Sequence, residues 1–239
     1  MSHAAEPWET LSPMKTGRSE IAVAQLDGKV YVAGGIGFFK VLKSCEVFMV
    51  AENSWSQCPD LPRRLHHVAL TSDGKHVYTA GGYTKLNFTH DEKTKLWQLR
   101  DDGWKDFADL PHPIGEHSMF GFQRYLYIIG GRTLEGDSAA LLQFDPLTRE
   151  WMSLAAMPTA RHSVATAIVN NELWVTGGRN AALGPHIDKI EIYNFETDKW
   201  RAGPTLPVGR GGHTAVYQDG KIHIFGGELF SPDKVLDRQ

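Results

Sequence analysis

The sequence predicts an all-β fold, a β-propeller of four-stranded antiparallel blades with five repeats visible and the fifth incomplete. Three observations carry that expectation. The dipeptide Gly-Gly ends a strand-like run at Gly34-Gly35, Gly81-Gly82, Gly130-Gly131, Gly177-Gly178 and Gly226-Gly227, in steps of 47, 49, 47 and 49 residues. Trp8, Trp55, Trp104, Trp151 and Trp200 keep the same rhythm, each 26 residues before the first glycine of its pair. No long helical periodicity occurs anywhere. Self-similarity at such a period marks a repeat architecture, and four short strands per unit make one propeller blade.

Each unit runs from Trp to Trp. A Leu/Met-Pro pair comes first, at Leu61-Pro62, Leu110-Pro111, Met157-Pro158 and Leu206-Pro207. Proline cannot donate to a ladder, so this is a strand exit into a crossing loop. The first strand follows, over Glu20–Leu26, His66–Thr71, His117–Phe122, His162–Val169 and His213–Gln218. Asp27-Gly28, Asp73-Gly74 and Asp219-Gly220 then read as hairpin turns that need φ > 0. Asn170-Asn171 takes that place in the fourth unit and Gln123-Arg124 in the third. The second strand is the most apolar and ends in the Gly pair, where missing side chains let backbones approach closely. A third strand leads to Phe48, Trp97, Phe144 or Tyr193, seven residues before the next Trp. Trp and that aromatic are expected to pack as core between blades.

This in-phase pattern of Gly-Gly, aromatic and Trp, from Trp8 to Gly227, resembles the kelch repeat. The resemblance implies a kelch-type propeller whose strand-connecting loops form a binding face. The whole chain, 1–239, reads as a single domain with units at about 8–55, 55–104, 104–151, 151–200 and a partial 200–239. The fifth unit has two full strands and the start of a third, Val235–Gln239. Two readings stay open. Trp8–Leu11 closes the fifth blade into a five-bladed ring, or the ring is larger; kelch rings, by resemblance, usually have six or seven blades.

Composition narrows the partners. The formal charge is −3, from 25 basic and 28 acidic residues, which gives no electrostatic footprint for nucleic acid or an anionic membrane. Apolar runs are far short of a membrane span. Met1–Glu9 has neither the basic nor the apolar region of a secretory signal. Two cysteines, Cys45 and Cys58, make no disulfide framework. A reducing, cytoplasmic location is the default, and no metal or cofactor is expected.

Candidate site residues follow from the repeat. Arg18, Arg161 and Arg210 lie ten residues after their Trp, Arg64 stands one position early, and Ile114 replaces the arginine in the third unit, with Glu116 two residues on. At the start of the innermost strands, four guanidinium groups would ring one mouth of a central channel and attract a carboxylate through charge-assisted bonds. A recurring arginine equally reads as a brace for a loop. Glu116 aligns with Glu20 and is a candidate acid or base beside the arginines. Histidines at this level, His66, His67, His117, His162 and His213, fall into different strand registers, which argues against one metal site. The loops after the Gly pairs differ between units, and specificity should live there. They carry Phe38-Phe39-Lys40, Tyr83, Arg132, Arg179 and Glu228-Leu229-Phe230, a composition like that of an interface hot spot; Phe38 and Phe39 folding back on their own blade is the plainer alternative. The expected function is a binding module for a protein or a small acidic ligand at an arginine-lined mouth. The alternative is a sugar-acting enzyme resembling sialic-acid epimerase or mutarotase propellers. A scaffold within a larger assembly is a third.

Overall fold

The computed structural model describes residues 9–90, 94–184 and 186–228. It is a β-propeller. Four blades are four-stranded antiparallel sheets whose strands follow chain order from the centre outward. In the first blade these strands are Ala22–Leu26, Lys29–Ala33, Cys45–Met49 and Ser54–Cys58. In the fifth, only Gly211–Gln218 and Lys221–Glu228 are described. The first strands of successive blades pack side by side around the middle. The sole helical element among the described residues is a short 3-10 turn, Val50–Glu52. None of their helices is long and apolar enough to cross a membrane.

The repeated residues do structural work at the junctions. Both glycines of each pair have positive φ, a conformation that costs little without a Cβ. A Cβ on Gly34, Gly81, Gly130 or Gly177 would stand 2.4–2.5 Å from a carbonyl oxygen of the following blade, that of Leu65, Ile114, Arg161 or Arg210. The same carbonyls accept hydrogen bonds from the second glycines, Gly35, Gly82, Gly131 and Gly178, at 2.8–3.0 Å. So the pair lets one blade lie directly on the next.

The tryptophans also join blades. Trp55, Trp104, Trp151 and Trp200 donate Nε1–H to the carbonyls of Ser12, Pro59, Asp109 and Ala155 at 2.7–2.9 Å. Pro59 and Ala155 follow the outer strand of the preceding blade, Asp109 ends it, and Ser12 stands in the same relation to Trp55. The expected aromatic pair forms inside the sheet, as a cross-strand contact: Phe48 with Trp55, Phe144 with Trp151 and Tyr193 with Trp200 are paired directly in register. The second blade departs, because its tighter turn pairs Arg100 with Gly103 and so sets Trp104 opposite Leu99 and Trp97 opposite Asp106.

Two expectations need correction. The first strands of the first four blades begin later than the sequence suggested, at Ala22, Ala69, Ser118 and Ala165. Glu20, His67, Glu116 and Ser163 have positive φ and interrupt the extended chain just before them. The cysteines are also joined: Cys45 and Cys58 face each other across the third and fourth strands of blade one and form a disulfide. The reducing location thereby loses the support taken from them. As for closure of the fifth blade by Trp8–Leu11, Trp8 lies outside the described residues, and Glu9–Leu11 form no strand.

Candidate functional site

The residue that interrupts each first strand builds the centre of the molecule. Glu20, His67, Glu116, Ser163 and Gly212 share one repeat position and have φ of 51, 49, 55, 53 and 70°. Each N–H after the first donates to the carbonyl of its counterpart in the preceding blade. His67 bonds Glu20 at 3.3 Å, Glu116 bonds His67 at 3.1 Å, Ser163 bonds Glu116 at 2.8 Å and Gly212 bonds Ser163 at 2.9 Å. Backbone geometry is thus fixed around the inner strands, while side-chain chemistry varies from blade to blade.

A second shared position stands beside it, occupied by Ile36, Tyr83, Arg132, Arg179 and Glu228. Antiparallel bridges hold it to the residue just before the interruption: Ser19 to Ile36, His66 to Tyr83, Gly115 to Arg132, His162 to Arg179 and Gly211 to Glu228. Together the two positions form one polar network. Tyr83 donates its hydroxyl to Glu116 Oε2 at 3.0 Å. His67 Nε2 is 3.0 Å from Glu20 Oε2 and 3.8 Å from Glu116 Oε1. Arg132 reaches within 3.8 Å of Glu116 and 4.0 Å of Asp137. Asp137 accepts from His162 Nδ1 and from the Ala181 N–H, both at 2.7 Å. Arg179 pairs with Glu228 at 2.6 Å.

Proton placement follows from the carbonyl of Lys85, which can only accept. His66 therefore donates Nε2–H to it at 2.9 Å. The remaining His66 Nδ1 lies 2.6 Å from His67 Nδ1, which supplies the proton between them. On its far side, His67 Nε2 lies 3.0 Å from Glu20 Oε2, within hydrogen-bond distance. This hydrogen bond is the main cause that keeps Glu20 below the usual carboxylate range. Burial lowers the basicity of His66 and His162, and it raises the Tyr83 phenol far above its ordinary value.

Access differs across the network. The Glu116 side chain is only 5% exposed, whereas those of Arg132 and Glu228 are 46% and 54% exposed. Around this floor the loops after the Gly pairs raise apolar tips into solvent: Phe38, Phe39, Leu86, Phe88, Leu134 and Leu183 are all exposed. Phe38 and Phe39 are 88% and 82% exposed, so they do not fold back on their blade. Phe88 leans on His66, His67 and Tyr83 at 5.2–5.6 Å between ring centroids. A hollow of about 600 Å³ between the first two tips is lined by Phe39, Val41, Arg64 and Leu86, among others.

The arginines split in two groups. Arg132 and Arg179, with Tyr83 and Glu116, do come together. Arg18 and Arg161 do not join them, because their side chains are 0% exposed. Arg18 donates to the carbonyls of Gly34 and Ser44 and pairs with Glu46 at 2.6 Å. Arg161 does the same with Lys189, Val175 and Glu191. Arg210 donates to the Gly226 carbonyl at 2.9 Å, and Arg64 to the Val41 carbonyl at 3.1 Å. Each brace ties the entry of a first strand to its own blade or, for Arg64, to the loop before it. The expected ring of four arginines is therefore replaced by a mixed floor: Glu20, Glu116, Asp137 and Glu228 face Arg132 and Arg179. The charge argument for an acidic ligand falls with it. The sequence also left His67 unlinked to Glu20 and Glu116, whose repeat position it shares, and it did not single out Asp137, Phe88, Leu134 and Leu183. Counting back from each Gly pair by one fixed interval would have found His67. Leu229 and Phe230 lie outside the described residues. No group of His, Cys, Asp and Glu among the described residues is placed to hold a metal ion.

A family model described as the KLHDC2/KLHL20/DRC7 Kelch-repeats domain matches residues 60–227, and a Kelch motif model matches residues 17–62. The chain belongs to the kelch-repeat family. Kelch repeat and BTB domain-containing protein 12 of Danio rerio is 30% identical over 227 residues, spanning 83% of this chain and 36% of that protein. Kelch-like protein terF of Aspergillus terreus is 26% identical over 240 residues, spanning 93% of this chain and 52% of that protein. The kelch chain thus covers about a third to a half of the length of these curated relatives. A solved structure titled "Structure of YjhT" aligns with a TM-score of 0.82 and 17% identity, over 95% of this chain and 82% of that one. At that identity the likeness speaks for the fold alone.

Proposed function

We propose that this kelch propeller, acting as a single domain, is a binding module that grips a segment of a protein partner on the loop face. One observation carries the reading. In four successive blades the loop after the Gly pair lifts an exposed apolar side chain, and these tips surround a floor with both carboxylates and guanidinium groups within reach of solvent. Large apolar anchors around satisfied polar groups are the arrangement by which interfaces gain affinity and register. A small anion would use only part of it, and the buried arginines are not available to one. Glu116, the candidate acid or base of the enzymatic alternative, is engaged by Tyr83. The names of the relatives fit a kelch module within longer proteins.

The experiment is selection of displayed peptides on the folded protein, followed by titration of the winners against Phe39→Ser, Leu134→Ser and Arg132→Ala. Each variant should keep the melting temperature and weaken binding at least about tenfold, the scale of a contact worth about 1.4 kcal/mol. Peptides that bind all three variants as well as the parent would show that the loop face is not the site.

A further inference from the structure

At the end of the strands away from the loop face, Gln123-Arg124 and Asn170-Asn171 turn between first and second strands. There a cleft of about 600 Å³ lies between the third and fourth blades. Its equivalent between the first and second blades is a cleft of about 870 Å³. Shared repeat positions line the two with different chemistry. Lys29, Lys75 and Arg100 in the first correspond to Tyr125, Asn171 and Glu196 in the second, and Asp102 corresponds to Asp198. The first cleft thus brings its own cations to its acidic residues. In the second, Glu196 and Asp198 have no lysine, arginine or histidine among the described lining residues. Arg124 at the rim is already engaged, since it pairs with Asp145 at 2.8 Å and lies over the Tyr125 ring at 4.4 Å.

Inside this cleft a buried hydroxyl lacks a partner. Tyr78 of blade two and Tyr127 of blade three share one repeat position, and each is paired in register with a third-strand glutamine, Gln98 or Gln143. In blade two the phenol is satisfied twice: it donates to Asp73 Oδ2 and accepts from Gln98 Nε2, both at 2.9 Å. Blade three has Phe122 where blade two has Asp73. There, neither the Tyr127 hydroxyl nor the Gln143 side-chain amide hydrogen-bonds a described residue. Tyr127 is nevertheless only 3% exposed, and a polar group so buried is ordinarily bonded. Burial and the neighbouring Tyr125 push its hydroxyl up to about 12, so it stays protonated at neutral pH.

The wall from blade four leaves acceptors over. Asp198 receives the Tyr193 hydroxyl at 2.7 Å and the Ala155 N–H at 2.8 Å, both on Oδ1. Those two bonds hold it below the usual carboxylate range and leave Oδ2 to a ligand. Glu196 receives Asn171 Nδ2 on Oε1 at 3.0 Å, which leaves Oε2. Met152, Leu154 and Phe195 supply apolar surface beside these groups.

From this arrangement we propose that the cleft between the third and fourth blades binds a guanidinium group on an alkyl stem, the chemistry of an arginine side chain. A guanidinium carries five N–H donors in one plane and no acceptor. The acceptors it would use are Asp198 Oδ2, Glu196 Oε2, the Gln143 amide oxygen and the Tyr127 hydroxyl. Its stem would lie along Met152, Leu154 and Phe195, as long cationic side chains do on apolar surface. A compact ammonium has fewer donors and holds its water more strongly, and an anion is repelled by both carboxylates. The site stands whether or not the loop tips at the other end of the strands grip a partner.

The test is two-dimensional NMR of the 239-residue chain, following the side-chain amide signals of Gln143 and Asn171 during titration with 1-butylguanidinium chloride. Butylammonium chloride, butanamide and sodium butyrate at matched ionic strength are the comparisons. Butylguanidinium should shift both signals saturably, and butyrate should not. Tyr127→Phe, which removes only the hydroxyl, should weaken binding about tenfold, the scale of one hydrogen bond to a charged group. Glu196→Gln should weaken it about threefold, the scale of an exposed ion pair. Both variants should keep the melting temperature of the parent. Affinity for butylammonium or butanamide equal to that for butylguanidinium would overturn the proposal, as would full affinity in both variants. A Gly-Arg-Gly peptide blocked at both ends separates the sources. Competition by it points to an arginine of a protein, and binding of the free cation alone points to a small guanidine; the site stands in either case.

Discussion

Acid should unfold this protein well above the carboxylate range, and two buried histidines set the magnitude. His117 and His213 share one repeat position and lie against the first glycine of the preceding blade, their Cε1 atoms 2.6 Å from where a Cβ on Gly81 or Gly177 would be. Burial, aided for His117 by His112 and for His213 by Arg210, Arg161 and Arg179, pushes both imidazoles down from 6.5 to about 4. The neutral form is thus favoured in the folded state. Between those values the unfolded chain binds a proton that the folded chain refuses, so stability is complete above pH 6.5 and is lost as pH falls toward 4. A shift of that size corresponds to roughly 3 kcal/mol per histidine, at about 1.4 kcal/mol per unit. Both together amount to about 6 kcal/mol, a large part of a typical folding free energy of about 5–15 kcal/mol.

The assay is urea denaturation at closely spaced pH between 5 and 6.5, reading the slope of folding free energy against pH. Each of the two histidines should contribute about 1.2 kcal/mol per pH unit near pH 5, where nearly one proton separates the states, falling to about 0.7 at pH 6.5. His66, His90 and His162, also lowered by burial, add slope of the same sign. The informative quantity is therefore the difference between wild type and His117→Leu. That substitution removes one titrating group whatever it does to the overall stability, so the slope near pH 5 should fall by about 1.2 kcal/mol per pH unit. Coincident slopes would refute the assignment of His117 as a buried neutral base.

Three other outcomes follow from the same geometry. Ala80→Thr should stabilise by roughly 1 kcal/mol, because Thr176, at the equivalent position, bonds His213 Nε2 at 2.8 Å while His117 has both ring nitrogens unpaired; chemical denaturation reads the gain, and a loss would mean the pocket has no room. Arg161→Met should destabilise by about 3–5 kcal/mol by stranding the buried Glu191 carboxylate, with part recovered in the double variant carrying Glu191→Gln; a melting temperature unchanged by Arg161→Met would return this arginine to a ligand-facing role. Reducing the Cys45–Cys58 bond, which closes a loop of sequence separation 13, should cost about 3 kcal/mol, seen as a lower denaturation midpoint with reductant that Cys45→Ala/Cys58→Ala no longer shows.

The fold was legible because its cause is periodic. The Gly pairs, the tryptophans and the Leu/Met-Pro exits recur since each junction needs the same close approach and the same indole bond. The loop positions Tyr83, Arg132 and Arg179 were legible for the opposite reason, as differences at one place in a repeat. What the sequence hid was direction. Arg18 and Arg161 start their strands as expected, but a turn into the blade, where Glu46 and Glu191 wait on third strands, buries them. Those partners stand 28 and 30 residues away and have no counterpart in the second or third blade, so no local pattern links them. Left-handed backbone at Glu20, His67, Glu116 and Ser163 was hidden as well, because none of these residues is one whose identity asks for positive φ. There the cost of an unfavourable backbone, of order 1 kcal/mol for each, is offset by the interblade hydrogen bond that the conformation permits. The consequence is a division of labour that the repeat itself enforces. Positions answering to the neighbouring blade keep one chemistry, while the position that only its backbone holds is free to carry Glu, His, Glu, Ser and Gly in turn. At the centre of this propeller, side-chain variety is concentrated at that position, and the proposed binding role would draw its selectivity from there, on a frame braced by the arginines and glycines.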